Sequence, residues 1–248
     1  MNNKLVVCTC SHTYDHYKNY WDNTGLDFHY LSHKINDKVK LDGLIFTEEN
    51  LRKDFDFDLD VSKKHYWNSF GNRNIVWFYA HLRMMYYYNF NPGYDYYWFF
   101  DDDLTVSNWD VFLKSFEKND SDFISYYLFK EASVKSQPNI PNIDNNTTST
   151  NFWFERFPGH GDILYEDTTE YFGAFYPITR FSNNALAKLS EVTLQGLSGW
   201  HEGFVPTILN YYAMSLDTVF NNNSQGKYFS DEDVTVKHKH GKINWSWI

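Results

Sequence analysis

Apolar residues along this chain fall mostly into short continuous runs. Residues 5–10, 28–31 and 44–46 are apolar stretches bounded by polar or glycine positions, and they read as buried strands of one sheet. Ile75, Phe78, Tyr79, Leu82, Met85 and Tyr86 instead recur at spacings of three and four, which predicts an amphipathic helix between Asn72 and Asn89. Asn91-Pro92-Gly93 is a turn signal that ends it. Tyr96-Tyr97-Trp98-Phe99-Phe100 follows, with the length and composition of a fully buried strand. Asn108 is placed to cap a helix through about Lys118, and residues 123–128 and 172–178 read as further strands. Ser182 is placed to cap a helix to about Val192, and Gly199 precedes another from Trp200 to Met214. Strands alternating with helical segments predict an α/β fold with a mainly parallel central sheet flanked by helices. Residues 135–151, with Pro138, Pro141 and a run of Asn, Thr and Ser, read as a long loop, either functional or a disordered surface excursion.

The aromatic run ends in Asp101-Asp102-Asp103. Side chains alternate along a strand, so Asp101 and Asp103 are expected on one face and Asp102 on the other. Two like charges on one face repel unless a cation joins them, and hard carboxylate oxygens suit Mg²⁺ or Mn²⁺. Parallel sheets bind ligands at the carboxyl ends of their strands. Both the triplet and the polar segment 11–16 after the first strand lie at such ends. Near the end of the sequence Val234 and Val236 alternate with Lys237, which places His238 and His240 on the valine face.

Composition narrows the partners. A formal net charge of −10 argues against nucleic acid, because phosphate binding needs a basic surface. Aromatics are 21% of the 248 residues, more than core volume requires, and Tyr and Trp faces suit stacking on sugars or bases. A Tyr-rich core accounts for most of them. Cys8 and Cys10 lie two apart on one strand, poorly placed to bond each other, so free thiols and a reducing compartment are expected. The first residues lack a signal-peptide core, and no stretch reaches the roughly 18 apolar residues of a membrane span. A cytoplasmic protein is expected, at most peripheral to a membrane that holds its acceptor.

A hydrophobic strand ending in Asp-x-Asp, in an α/β chain of this size, resembles the nucleotide-sugar glycosyltransferases of the GT-A fold. Their Asp-x-Asp motif binds a divalent cation that bridges the donor diphosphate. The segment Val6-Val7-Cys8-Thr9-Cys10-Ser11-His12 looks like their donor-binding first strand, and Gly199-Trp200-His201-Glu202-Gly203-Phe204-Val205-Pro206-Thr207 resembles the helix start that supplies the catalytic carboxylate of inverting members. The resemblance implies one domain, with a donor-binding half over 1–130 and an acceptor-binding, catalytic half over 131–248. It implies Asp103 as main ligand of Mn²⁺ or Mg²⁺, Asp101 on the metal or ribose, and Asp102 on the donor sugar or ribose. Thr9, Ser11 and His12 would approach the donor, and Trp200 would wall the sugar. His238 or His240 would complete the metal shell, Lys242 would meet the diphosphate, and Arg73 or Asn72 the donor sugar. Asp162 would line the acceptor site. Glu202 would be the general base toward a glycan or lipid-linked acceptor, with a UDP-sugar as default donor. Each has a plainer explanation: an acidic turn, a helix cap, a carboxylate at a helix N-terminus, a basic tail. A nucleotidyltransferase acting on sugar phosphates is disfavoured by the absence of glycine between residues 8 and 20. A phosphohydrolase would place its nucleophilic aspartate after the first strand, where Cys-Thr-Cys-Ser stands. A carbohydrate-binding module explains the aromatics but not the aspartates.

Overall fold

The computed structural model describes residues 2–35, 37–55, 80–130, 172–195, 201–221 and 225–238. The apolar runs become strands β1 (Asn3–Cys10), β2 (Phe28–His33), β3 (Leu44–Phe46), β4 (Tyr96–Asp101), β6 (Phe123–Lys130), β7 (Phe172–Ser182) and β8 (Leu216–Thr218). They form one seven-stranded sheet in the order β3-β2-β1-β4-β7-β6-β8. All run the same way except β7, which is antiparallel to its neighbours β4 and β6. A separate antiparallel ribbon joins β5 (Leu104–Val106) to β9 (Val236–His238). The helices are α1 (Tyr14–Asp22), α2 (Glu48–Phe55), α3 (Ala80–Phe90), α4 (Trp109–Ser115), α5 (Asn183–Leu194) and α6 (His201–Tyr211). This mainly parallel, helix-flanked sheet agrees with the α/β architecture expected from the sequence.

A parallel sheet covered on both faces needs strands that are apolar on both sides, and β4 shows why its aromatics are consecutive. Tyr97 and Phe99 enter the core beneath α2, α3, α5 and α6, while Trp98 and Phe100 enter the opposite core with Trp21 of α1 and Trp109 and Phe112 of α4. Many of the aromatics among the described residues are packing material of this kind. Asn108 Oδ1 accepts from Val111 N at 3.2 Å and Ser182 Oγ from Ala185 N at 3.0 Å, so both expected caps form. α3 departs from a one-sided stripe. Ala80, His81, Leu82, Met84, Met85, Tyr86 and Tyr87 are all buried, because α2, α5 and α6 pack around it. Ile75, Phe78 and Tyr79 lie outside the described residues. Among the described residues no helix is long and apolar enough to cross a membrane.

β7 is fastened to the turn after α4 by Arg180. Its guanidinium donates to Asn119 O at 2.9 Å, Asn119 Oδ1 at 2.7 Å and Ser121 O at 3.1 Å, and lies 4.2 Å over the Tyr96 ring. A buried arginine is tolerated because oxygens and an aromatic face replace its water.

Candidate active site

β4 ends at Asp101, and the alternation that sends Tyr97 and Phe99 toward α3 and α6 sends Asp101 the same way. There Arg83, on α3, donates from Nη2 to Asp101 Oδ1 at 3.0 Å. The chain then turns at Asp102 and Asp103 before re-entering as β5. Asp102 rotates toward β1. Its N–H donates to Cys8 O at 3.0 Å, and its carbonyl accepts from Trp21 Nε1 at 2.7 Å. Its Oδ2 accepts the Thr9 and Thr13 hydroxyls at 2.5 Å each. Asp103 turns toward β9, whose register sets His238 opposite Leu104 and brings His238 Nε2 to 3.0 Å from Asp103 Oδ1. Asp101, Asp103 and His238 each offer one ligand atom, and these atoms lie within 4.8 Å of one another. The expected grouping of Asp101 with Asp103, and of Asp102 apart from them, therefore holds, but a turn produces it rather than the strand pleat.

This donor set fits a divalent cation. Two carboxylate oxygens and an imidazole nitrogen are ordinary ligands of a divalent metal ion. Asp103 Oδ1 is buried, with His238 Nε2 beside it at 3.0 Å. Burial raises the Asp101 pKa, with the Arg83 charge opposing it and Asp103 reinforcing it. Burial also lifts Asp102 to about 6 against the Thr13 and Thr9 bonds. For His238, burial favours the neutral ring, yet the Asp103 contact and the charges of Asp101 and Asp102 outweigh it and raise the pKa. A proton on His238 thus stands where a cation would relieve the same negative charge.

Glu202 occupies the first turn of α6 and is buried. Burial and, behind it, the charge of Asp101 push its pKa well above the ordinary carboxylate value, which favours the protonated form. Thr9 is buried on Asp102. Ser11 is buried too, its Oγ accepting from Ile35 N at 3.1 Å and its N–H donating to His33 O at 3.0 Å, while His12 is exposed. His33, at the carboxyl end of β2, is lowered to about 4 by burial and by the Arg83 charge. Both cysteines are free, and burial pushes Cys8 up to about 12. Asn72, Arg73, Asp162, Trp200, His240, Lys242 and the 135–151 loop lie outside the described residues.

Arg83, Thr13 and Trp21 escaped the sequence reading. Arg83 did leave a signal, since a lone cation between Leu82 and Met84 on a buried helix requires an anionic partner. Thr13 and Trp21 left none, because their roles depend on how α1 docks.

No protein-family model and no curated protein matches this chain. Among solved structures, the crystal structure of an active-site mutant of LgtC overlays 88% of this chain and 72% of that one, with a TM-score of 0.43 and 12% identity. That likeness is too loose to decide a function. The site's geometry stands without it.

Proposed function

We propose that this chain is a divalent-cation-dependent glycosyltransferase. It moves a sugar from a nucleoside-diphosphate donor, UDP-linked by default, to a hydroxyl of a glycan or lipid-linked acceptor, with inversion. The observation that carries this reading is the convergence of Asp101, Asp103 and His238 at the carboxyl edge of β4, with buried Glu202 within the field of Asp101. A strand edge of this kind is where parallel α/β sheets receive ligands.

Bound to these ligands, Mn²⁺ or Mg²⁺ would neutralise the diphosphate leaving group. The protein's own groups do the rest. Arg83 fixes the Asp101 carboxylate from below. Asp102 ties Thr9 at the exit of β1 to Thr13 before α1, so the donor-facing segment through Ser11 and His12 is held in place. Glu202 accepts the proton of the attacking hydroxyl, a role its high proton affinity strengthens once it is ionised. A cation held by Asp101 would offset the smaller, electrostatic part of that shift, while burial, the larger part, stays. Arg73 and Trp200 are assigned to the donor sugar, Lys242 to the diphosphate and His240 as the alternative imidazole ligand. Residues 1–130 form the donor half and 131–248 the acceptor and catalytic half.

Thermal unfolding with a panel of nucleoside diphosphates tests this directly. The melting temperature should rise when nucleotide and Mn²⁺ or Mg²⁺ are present together, and Asp103→Ala should lose that response. Normal Mn²⁺-supported nucleotide binding in Asp103→Ala would remove the metal assignment. No response to any nucleotide would sink the transferase, and a response to free sugars alone would favour a carbohydrate-binding module.

A further inference from the structure

α6 carries Glu202 in a first turn that its own backbone holds incompletely. Pro206 lies inside the helix and has no N–H, so the Glu202 carbonyl, four residues earlier, loses its helical partner. The described contacts around this turn come from neighbouring elements. Tyr176 of β7 donates its hydroxyl to the His201 carbonyl at 3.1 Å. Its ring meets the His201 ring edge-on, with centroids 4.5 Å apart and planes at 88°. One turn further along, Thr207 Oγ1 accepts from Phe172 N at 2.9 Å and donates to Phe172 O at 3.2 Å. On the far side Phe204 rests against His81 of α3, with ring centroids 5.3 Å apart. Glu202 therefore sits between two fastenings to β7, whose other neighbour, β4, delivers Asp101.

We infer that Tyr176 is a positioning residue, which sets the start of α6 so that the Glu202 carboxyl faces the Asp101 edge of the site. This rests on the reading of Glu202 as the base. The strand itself is adapted to the task. The β6–β7 register shifts between Ser125 and Tyr127, opposite the stretch that holds Tyr176. Tyr176 thereby packs with the α3–α6 core, while Ile178, two residues on, packs in the opposite one. A regular strand would place both on one face. Tyr176 is fully enclosed, and burial beside Glu202 keeps its hydroxyl protonated and able to donate. Thr207 holds the second turn in the same way, so the two pins act as one clamp.

Tyr176→Phe keeps the ring and removes the hydroxyl. Its crystal structure should show the 201–203 turn displaced, a result independent of any donor. Release of nucleoside diphosphate from UDP-glucose, UDP-galactose and UDP-N-acetylglucosamine with Mn²⁺ supplies the kinetic arm. There kcat should fall about tenfold while the donor KM and Mn²⁺ affinity stay within about twofold. In a Glu202→Gln background the same change should cost nothing further, because the carboxylate it positions is gone. Thr207→Val, which cuts the other pin, should repeat the pattern and serves if Tyr176→Phe folds poorly. An unmoved turn, an unchanged kcat, or a loss that adds fully to that of Glu202→Gln would overturn the role of Tyr176. Normal turnover by Glu202→Gln alone would instead overturn the base assignment and leave the displaced turn as a separate finding.

Discussion

At the scale of single residues the site is a competition between protons and a cation. Glu202 illustrates its effect on stability. Its ordinary pKa is 4.5 and its folded value lies well above that, so between the two the unfolded chain has shed a proton that the folded chain retains. Ionisation therefore favours unfolding as pH rises above about 4.5. Glu202→Gln should then melt higher than the wild type, with a gain that grows as pH rises from about 4.5 toward the folded value, while turnover falls by about 10² or more. A flat difference in melting temperature across that range would contradict the burial argument. For His238 the folded pKa is raised above 6.5, and a metal ligand must be the neutral ring. Mn²⁺ affinity, measured by calorimetric titration, should climb about tenfold per pH unit below that raised value and level off above it. In His238→Ala that limb should disappear. The sequence displayed the aspartates and the histidine, but their proton affinities come from burial and from neighbours such as Arg83, Thr13 and Thr9 that only folding supplies.

Among the elements, local chemistry and tertiary contact divide the work unequally. Asn108 and Ser182 were legible as helix caps because capping involves a side chain and a backbone N–H three residues away. Asn108→Ala should cost about 1 kcal/mol. Arg180 gave no such local sign. It joins β7 to the turn after α4 through bonds to Asn119 and Ser121 and through the Tyr96 ring. Arg180→Ala should cost roughly 3 kcal/mol, because it leaves buried acceptors unpaired and opens a cavity. Urea denaturation would rank the two, and equal costs would show that β7 is held mainly by its ladder. β4 was readable as a buried strand because its aromatics supply both cores. The reversed direction of β7 was not, since an apolar run has the same composition in either direction.

At the scale of the whole molecule, the ribbon of β5 and β9 draws a histidine from late in the sequence to the aspartates at the centre of the sheet. A ligand held by both segments should stabilise the fold by mass action. Mn²⁺ at 100 times its Kd should add about 2.7 kcal/mol, or roughly 5–10 °C in Tm, and a chelator should reverse it. Asp103→Ala should show neither effect, and an equal Mn²⁺ response in that variant would place the cation elsewhere. By itself the sequence determined the α/β alternation, the buried aromatic strand, the caps and the acidic triplet at a strand exit. Each of these depends on periodicity or on neighbours a few residues apart. Tertiary structure alone decided that Asp103 meets His238, that Asp102 turns away to Thr9 and Thr13, and that Arg83 and Tyr176 serve the site. Those contacts join residues far apart in the chain, and their partners are selected by packing and desolvation rather than by local pattern.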